Sequence, residues 1–167
     1  MANATPSVRS SRRTPRQSAI KGKSARSSYL GYFRASAFDR IDLIKRGMYA
    51  VEAKRIFADL DIGQGAAFKA LNLSPATVNK KAKLRQTLSP SDTERVIGIA
   101  KLVGQLEAIV EESGDPKGFD ATVWMSRWLK EPLPAIGGIR PVDLMDTMEG
   151  QALVSRELAR IQTTAYA

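Results

Sequence analysis

Large apolar residues recur along this chain at steps of three and four, and no sustained run alternates at a period of two. That is the spacing of helices buried along one face, not of half-buried strands. The first cluster is Tyr29, Leu30, Tyr32, Phe33, Phe38, Ile41, Leu43 and Ile44, where order is expected to begin. From Gly47 a stripe of Val51, Ile56, Phe57 and Leu60 predicts a helical region ending at Asp61-Ile62-Gly63. Gln64–Leu71 is helical by propensity and Asn72 interrupts it. Ser74-Pro75 then supplies an N-cap and a proline at the first helical position, predicting a helix to about Leu84 with Val78 and Leu84 turned inward. Ser89-Pro90 repeats the start signal, and Ser91-Asp92-Thr93-Glu94 offers an overlapping capping box. Beyond it Val96, Ile99, Ala100, Val103, Leu106 and Val110 mark an amphipathic helix expected to be the spine of the fold.

Ser113-Gly114-Asp115-Pro116-Lys117-Gly118 breaks that helix and is the best internal boundary. A helix over Phe119–Lys130, a Pro/Gly-rich connection over Glu131–Pro141 and a last amphipathic helix over Met148–Ile161, built on Val154, Leu158 and Ile161, complete the pattern. The expected fold class is all-α: a helix-turn-helix domain over residues 29–112 and a small helical domain over 113–167. Residues 1–28 are Ser, Arg, Pro and Ala with scarcely a large apolar group, so they are expected to form a disordered basic arm.

Charge sharpens this division. The formal net charge is +9, yet residues 1–28 carry seven basic and no acidic groups, residues 29–103 thirteen against seven, and residues 104–167 six against ten. A basic front and an acidic back suit a polyanion at one end and a protein at the other. The chain has neither cysteine nor histidine, which excludes disulfides, thiol nucleophiles, the usual zinc sites and the commonest general base. Asp143, Asp146 and Glu149 sit near a helix start, where acids complement the helix dipole for structural reasons, so no catalytic residue, metal or cofactor is expected. Gly63-Gln64-Gly65 lacks the preceding strand of a dinucleotide fingerprint. No stretch is apolar enough to span a membrane and the N-terminus has no apolar leader core, so a cytoplasmic protein is expected.

Two short helices joined by a tight turn, the second starting at a Ser N-cap, are what a helix-turn-helix requires. No acidic residue stands between Ile62 and Ser91, while Lys69, Lys80, Lys81, Lys83 and Arg85 are basic. The expected DNA-contacting residues are therefore Ser74, Thr77, Asn79, Lys80, Lys81, Lys83 and Arg85. Thr77 and Asn79 are suited to base edges and the lysines to phosphate or guanine. A two-fold operator would call for a homodimer, and the long helix over Asp92–Glu111 has an apolar face wide enough for core and interface together.

Toward the C-terminus, Trp128-Leu129 is followed by Pro132-Leu133-Pro134-Ala135-Ile136-Gly137-Gly138, then Pro141-Val142-Asp143-Leu144-Met145, Thr147, Gly150 and Leu158-Ala159-Arg160-Ile161. On residue types alone this is either a rigid docking platform or a well-packed helical hairpin. The block strongly resembles the toxin-binding domain of the Xre/MbcA/ParS antitoxins, and Thr77-Val78-Asn79-Lys80-Lys81 with Leu88-Ser89 resembles that family's Xre-like helix-turn-helix. The likeness runs from Gly47 to Ala167, with lysines at 80 and 81 where relatives usually carry arginine.

The resemblance implies an antitoxin that silences a RES-domain toxin acting on NAD, regulates its own operon and joins a higher-order toxin–antitoxin complex. It points to Trp128, Pro132, Pro134, Ile136, Gly137, Gly138, Pro141, Arg160 and Tyr166 as toxin-binding residues. Tyr166 and the terminal carboxylate would enter the toxin's NAD pocket; the alternative is that Tyr166 packs back on Trp128. The competing function is a helix-turn-helix regulator without a toxin, which predicts a ligand pocket with a few converging polar groups.

Overall fold

The computed structural model describes residues 26–114 and 117–165. In chain order the helices are α1 (Arg26–Arg34), α2 (Ala37–Arg46), α3 (Ala50–Asp59), α4 (Gln64–Ala70), α5 (Pro75–Lys83), α6 (Pro90–Ser113), α7 (Ala121–Trp128) and α8 (Met148–Ala165). Short 3-10 turns at Pro134–Ile136 and Pro141–Leu144 lie between α7 and α8. Among the described residues the only sheet-like pairing is two isolated antiparallel bridges, Tyr49 with Thr87 and Leu133 with Ile139. The all-α expectation holds.

The spine is α6. Ser89 caps it by accepting from the Asp92 amide at 3.1 Å, and Gly114 ends it in the left-handed conformation that glycine adopts without strain. Helices α1, α2, α7 and α8 all pack against it. Ile97, Ile99, Val103 and Leu106 are buried there, each stabilising the fold by about 2 kcal/mol relative to exposure.

Two glycines set how closely the neighbours approach. A Cβ at Gly104 would overlap the Tyr29 carbonyl, so α1 crosses α6 backbone against backbone. A Cβ at Gly98 would overlap the Gln151 side chain of α8, which is buried there and donates to the Arg95 and Met145 carbonyls at 3.1 and 2.9 Å.

The module of α3, α4 and α5 packs around Phe57 and Phe68, whose rings meet edge to face at 5.5 Å. Its exit loop is sewn to its entry: the Ala50 amide donates to the Gln86 carbonyl at 3.0 Å and the Leu88 amide to the Met48 carbonyl at 2.8 Å. It is also tied to the C-terminal block, because the Ser126 hydroxyl accepts from the Asp61 amide at 2.9 Å and Lys130 Nζ donates to the Asp61 carbonyl at 3.0 Å. The buried core runs unbroken from Tyr29 through Val96–Leu106 to Leu158.

Several details depart from expectation. Helical backbone begins at Arg26, so the last three positions of the expected arm belong to α1 and the rest lies outside the described residues. Gly47 is not part of a helix with Val51; it ends α2 at φ 80°, and α3 starts at Ala50. The overlapping box at Ser91 is not used, because Ser89 is the cap and Ser91 lies inside α6; within that box the Thr93 hydroxyl is buried and accepts from the Met48 amide at 3.0 Å. Asp120 caps α7 through the Thr122 and Val123 amides at 3.0 and 3.1 Å, so that helix is shorter than Phe119–Lys130.

Leu84 is 56% exposed and not a core residue, because α5 ends at Lys83 and the chain turns at Arg85 with φ 51°. The apolar face of α6 is covered by helices of its own chain, which removes it as the expected dimer interface.

Candidate functional site

Helix α5 is presented by its supports. Asn72 turns the chain at φ 48° between the buried Leu71 and Leu73. The Ser74 hydroxyl then accepts from the Thr77 amide at 3.2 Å, and Val78 is the one fully buried side chain of α5, pinned against α3. Pinning through one fully buried position, with Asn79, Lys81 and Ala82 half-buried beside it, leaves the opposite side of the helix facing outward. Ser74, Thr77, Lys80, Lys83 and Arg85 are exposed.

Two other expected contacts are engaged within the chain. Asn79 is half-buried and its Oδ1 accepts from Lys54 Nζ at 2.9 Å. Lys81 folds back to donate to the Thr87 carbonyl at 3.0 Å. No acidic side chain stands on α4 or α5, so nothing on this face repels phosphate.

In the C-terminal block Trp128 is 7% exposed and stacks on Trp124 with ring centroids 5.8 Å apart. Pro141 is buried too. Both are buried and so do not form the outer surface of the block. Above them the chain makes a narrow loop: the Leu133 amide donates to the Ile139 carbonyl at 3.1 Å and the Gly138 amide to the Leu133 carbonyl at 2.9 Å. Gly137 and Gly138, at φ 74° and 80°, make the reversal that residues with a Cβ resist. Pro132, Pro134, Gly137 and Gly138 are exposed and Ile136 is half-buried.

Two features of this loop have a signal in the sequence that the residue pattern alone did not single out. Ile139 stands 46% exposed at the loop's end. Next to it Arg140 grips Asp143 through two hydrogen bonds of 2.8 and 2.9 Å, which lowers the Asp143 pKa and raises that of Arg140. The Arg140-x-x-Asp143 spacing on a turn was the available clue. Arg160 points outward from α8 while pairing with the buried Glu157 at 2.9 Å. Tyr166, with the expected insertion of the C-terminus, lies outside the described residues.

A chain with a docked two-helix unit, an open basic second helix and a Pro/Gly loop beyond it matches known protein families over most of residues 39–163. Residues 39–101 match the antitoxin Xre-like helix-turn-helix domain, and residues 105–163 match the antitoxin Xre/MbcA/ParS C-terminal toxin-binding domain. The chain belongs to the Xre/MbcA/ParS-type antitoxins. It is 59% identical over 140 residues to the Prs ADP-ribosylating antitoxin of Sphingobium sp. (strain YBL2), an alignment covering 84% of this chain and 88% of that relative. The two family domains meet inside α6, so the spine serves both. Among the described residues no helix is long and apolar enough to cross a membrane.

Proposed function

We propose that this antitoxin binds and silences a RES-domain toxin that acts on NAD, and that it represses its own operon by placing α5 on operator DNA. The observation that carries the reading is the match of the block around the Leu133–Ile139 loop to a toxin-binding domain, on a chain whose separate basic face belongs to an Xre-like helix-turn-helix. The Sphingobium relative is named for ADP-ribosylation of Prs, and that reaction is carried over here to the partner toxin. This chain itself is not an enzyme in the proposal: it supplies contacts, and the NAD chemistry is the partner's.

In this division of labour Ser74, Thr77, Lys80, Lys83 and Arg85 meet DNA, the lysines and arginine on phosphates and the hydroxyls nearer the bases. Asn79 and Lys81 shape the helix that carries them. Pro132, Pro134, Ile136, Gly137 and Gly138 form the toxin-facing edge, and Arg160 and Tyr166 are further toxin contacts in the proposal. Trp128 and Pro141 keep that edge rigid, which limits the ordering entropy lost on binding. Repression of a two-fold operator uses a homodimer, and the complex acts in the cytoplasm.

The test is to purify the toxin encoded beside this gene and follow ADP-ribose transfer or release from NAD. Stoichiometric antitoxin should suppress the reaction, and a Gly137→Val, Gly138→Val variant that still binds operator should not. Undiminished toxin activity in a stable complex with the wild-type chain would overturn the proposal.

A further inference from the structure

Away from both faces, a cleft of about 450 Å3 opens where α1 and α2 meet α6 and α8. That volume lies in the range of small-molecule sites. Three cations line it, Arg40 from α2, Lys101 from α6 and Arg156 from α8, and no acidic residue does. Among the described residues no carboxylate pairs with any of the three. A solvated surface lysine needs no partner. Here Arg40 and Lys101 are half-buried and Arg156 stands exposed at the rim, and the Arg40 charge acts directly on the Lys101 ammonium.

The walls are fixed by bonds that leave these charges unanswered. Gln105 and Ser155 bind each other across α6 and α8, with the Ser155 hydroxyl donating at 2.7 Å and the Gln105 amide donating to the Ser155 carbonyl at 3.0 Å. Gln151 is committed to the Arg95 and Met145 carbonyls. Arg40 is held at the end of α1 by donating through Nη1 to the Phe33 carbonyl at 3.3 Å and to the Ala35 carbonyl. Only carbonyls receive it, so its charge is positioned and not neutralised. Burial, and then the Arg40 charge, hold the Lys101 ammonium below the usual lysine range. Phe33, Leu102 and Met148 supply an apolar wall beside the cations.

We propose that this cleft is a binding site for a small phosphorylated molecule, its phosphate groups on Arg40, Lys101 and Arg156. Guanidinium groups match the fork of phosphate oxygens and a lysine adds a point charge, so the set suits a di- or polyanion better than a single carboxylate. Because the cleft joins α1 and α2 to α6 and α8, an occupant would clamp α1 and α2 to α8. It would stabilise the antitoxin in proportion to ligand concentration.

The test is calorimetric titration of the full chain at about 0.15 M salt with inorganic pyrophosphate and, separately, with ADP. Both should bind, and Lys101→Met and Arg156→Gln should each weaken them by about tenfold or more. Lys101→Met removes a desolvated charge, so the free variant should melt no lower than wild type, which separates lost binding from lost folding. ADP binding more tightly than pyrophosphate identifies an organic phosphate that uses the apolar wall; equal affinities identify an inorganic one. An α5 control, Lys80→Gln with Lys83→Gln, should bind both probes as wild type does. The proposal fails if neither probe binds, or if the α5 control weakens binding as much as the cleft variants do. It fails also if the cleft variants lose only toxin affinity, which would assign the cations to an acidic surface of the partner.

Discussion

The α5 face and the Leu133–Ile139 loop are held in opposite ways. The first is a helix pinned by one buried valine, with its chemistry displayed in exposed hydroxyls and cations. The second is a loop with little chemistry of its own, made rigid by a cross-loop bridge, two glycines at positive φ and a buried Trp128 beneath. A surface for DNA needs charge placed along a backbone that any sequence presents, so a mobile lysine end suffices. A surface for one protein needs shape that is already in place, so backbone is fixed and charge is spare. The two surfaces share α6 and so share its failures.

The largest expected effect removes both surfaces together. Gly104→Val would drive a side chain into the Tyr29 carbonyl, and overpacking against backbone should lower the unfolding free energy by about 3 kcal/mol. Urea denaturation measures it, and operator and toxin binding should fall in parallel. Next, Lys80→Gln with Lys83→Gln should act on one surface only. Operator affinity should drop and the slope of log affinity against log salt should flatten by about 2, one unit per lost phosphate contact. Lys81→Gln, which loses a bond to the Thr87 carbonyl, should flatten it less and reduce stability more.

Reciprocally, Ile139→Asp places a charge at the exposed end of the loop. It should weaken toxin binding by about tenfold or more while leaving operator affinity at the wild-type value. The smallest effect is a pH dependence of the shared core. Burial first, then the 2.7 Å hydrogen bond to Asp59, raise the Tyr29 pKa, and burial pushes Tyr32 up to about 12. Both shifts keep the phenols neutral in the folded state. Their stabilisation is therefore whole below the unfolded value near 10 and is lost as pH rises above it. Alkaline melts should show this, and Tyr29→Phe should flatten part of the decline.

Most of the architecture was legible because it is local. N-cap serines followed by proline at Ser74 and Ser89, and three- and four-residue apolar steps through α6, mark where helices start and which face they bury without reference to any distant residue. What was not legible depends on which neighbour arrives. Leu84 reads as core by period, yet a chain reversal at Arg85 leaves it outside. Asn79 and Lys81 read as contacts by charge and position, yet Lys54 and the Thr87 carbonyl reach them first. Gly98 and Gly104, unremarkable in a helix pattern, are where α8 and α1 cross. The Arg40, Lys101 and Arg156 cleft is drawn from three helices far apart in sequence and has no linear signature.

The central claim is that DNA and toxin are held on separate surfaces of one core. The most direct measurement is operator affinity of the antitoxin saturated with its toxin, read by fluorescence anisotropy at fixed salt. Separate surfaces predict a ternary complex in which α5 still binds and the lysine-dependent salt slope is unchanged. Mutually exclusive binding, with toxin displacing operator in a one-for-one competition, would contradict it and place the toxin on α5.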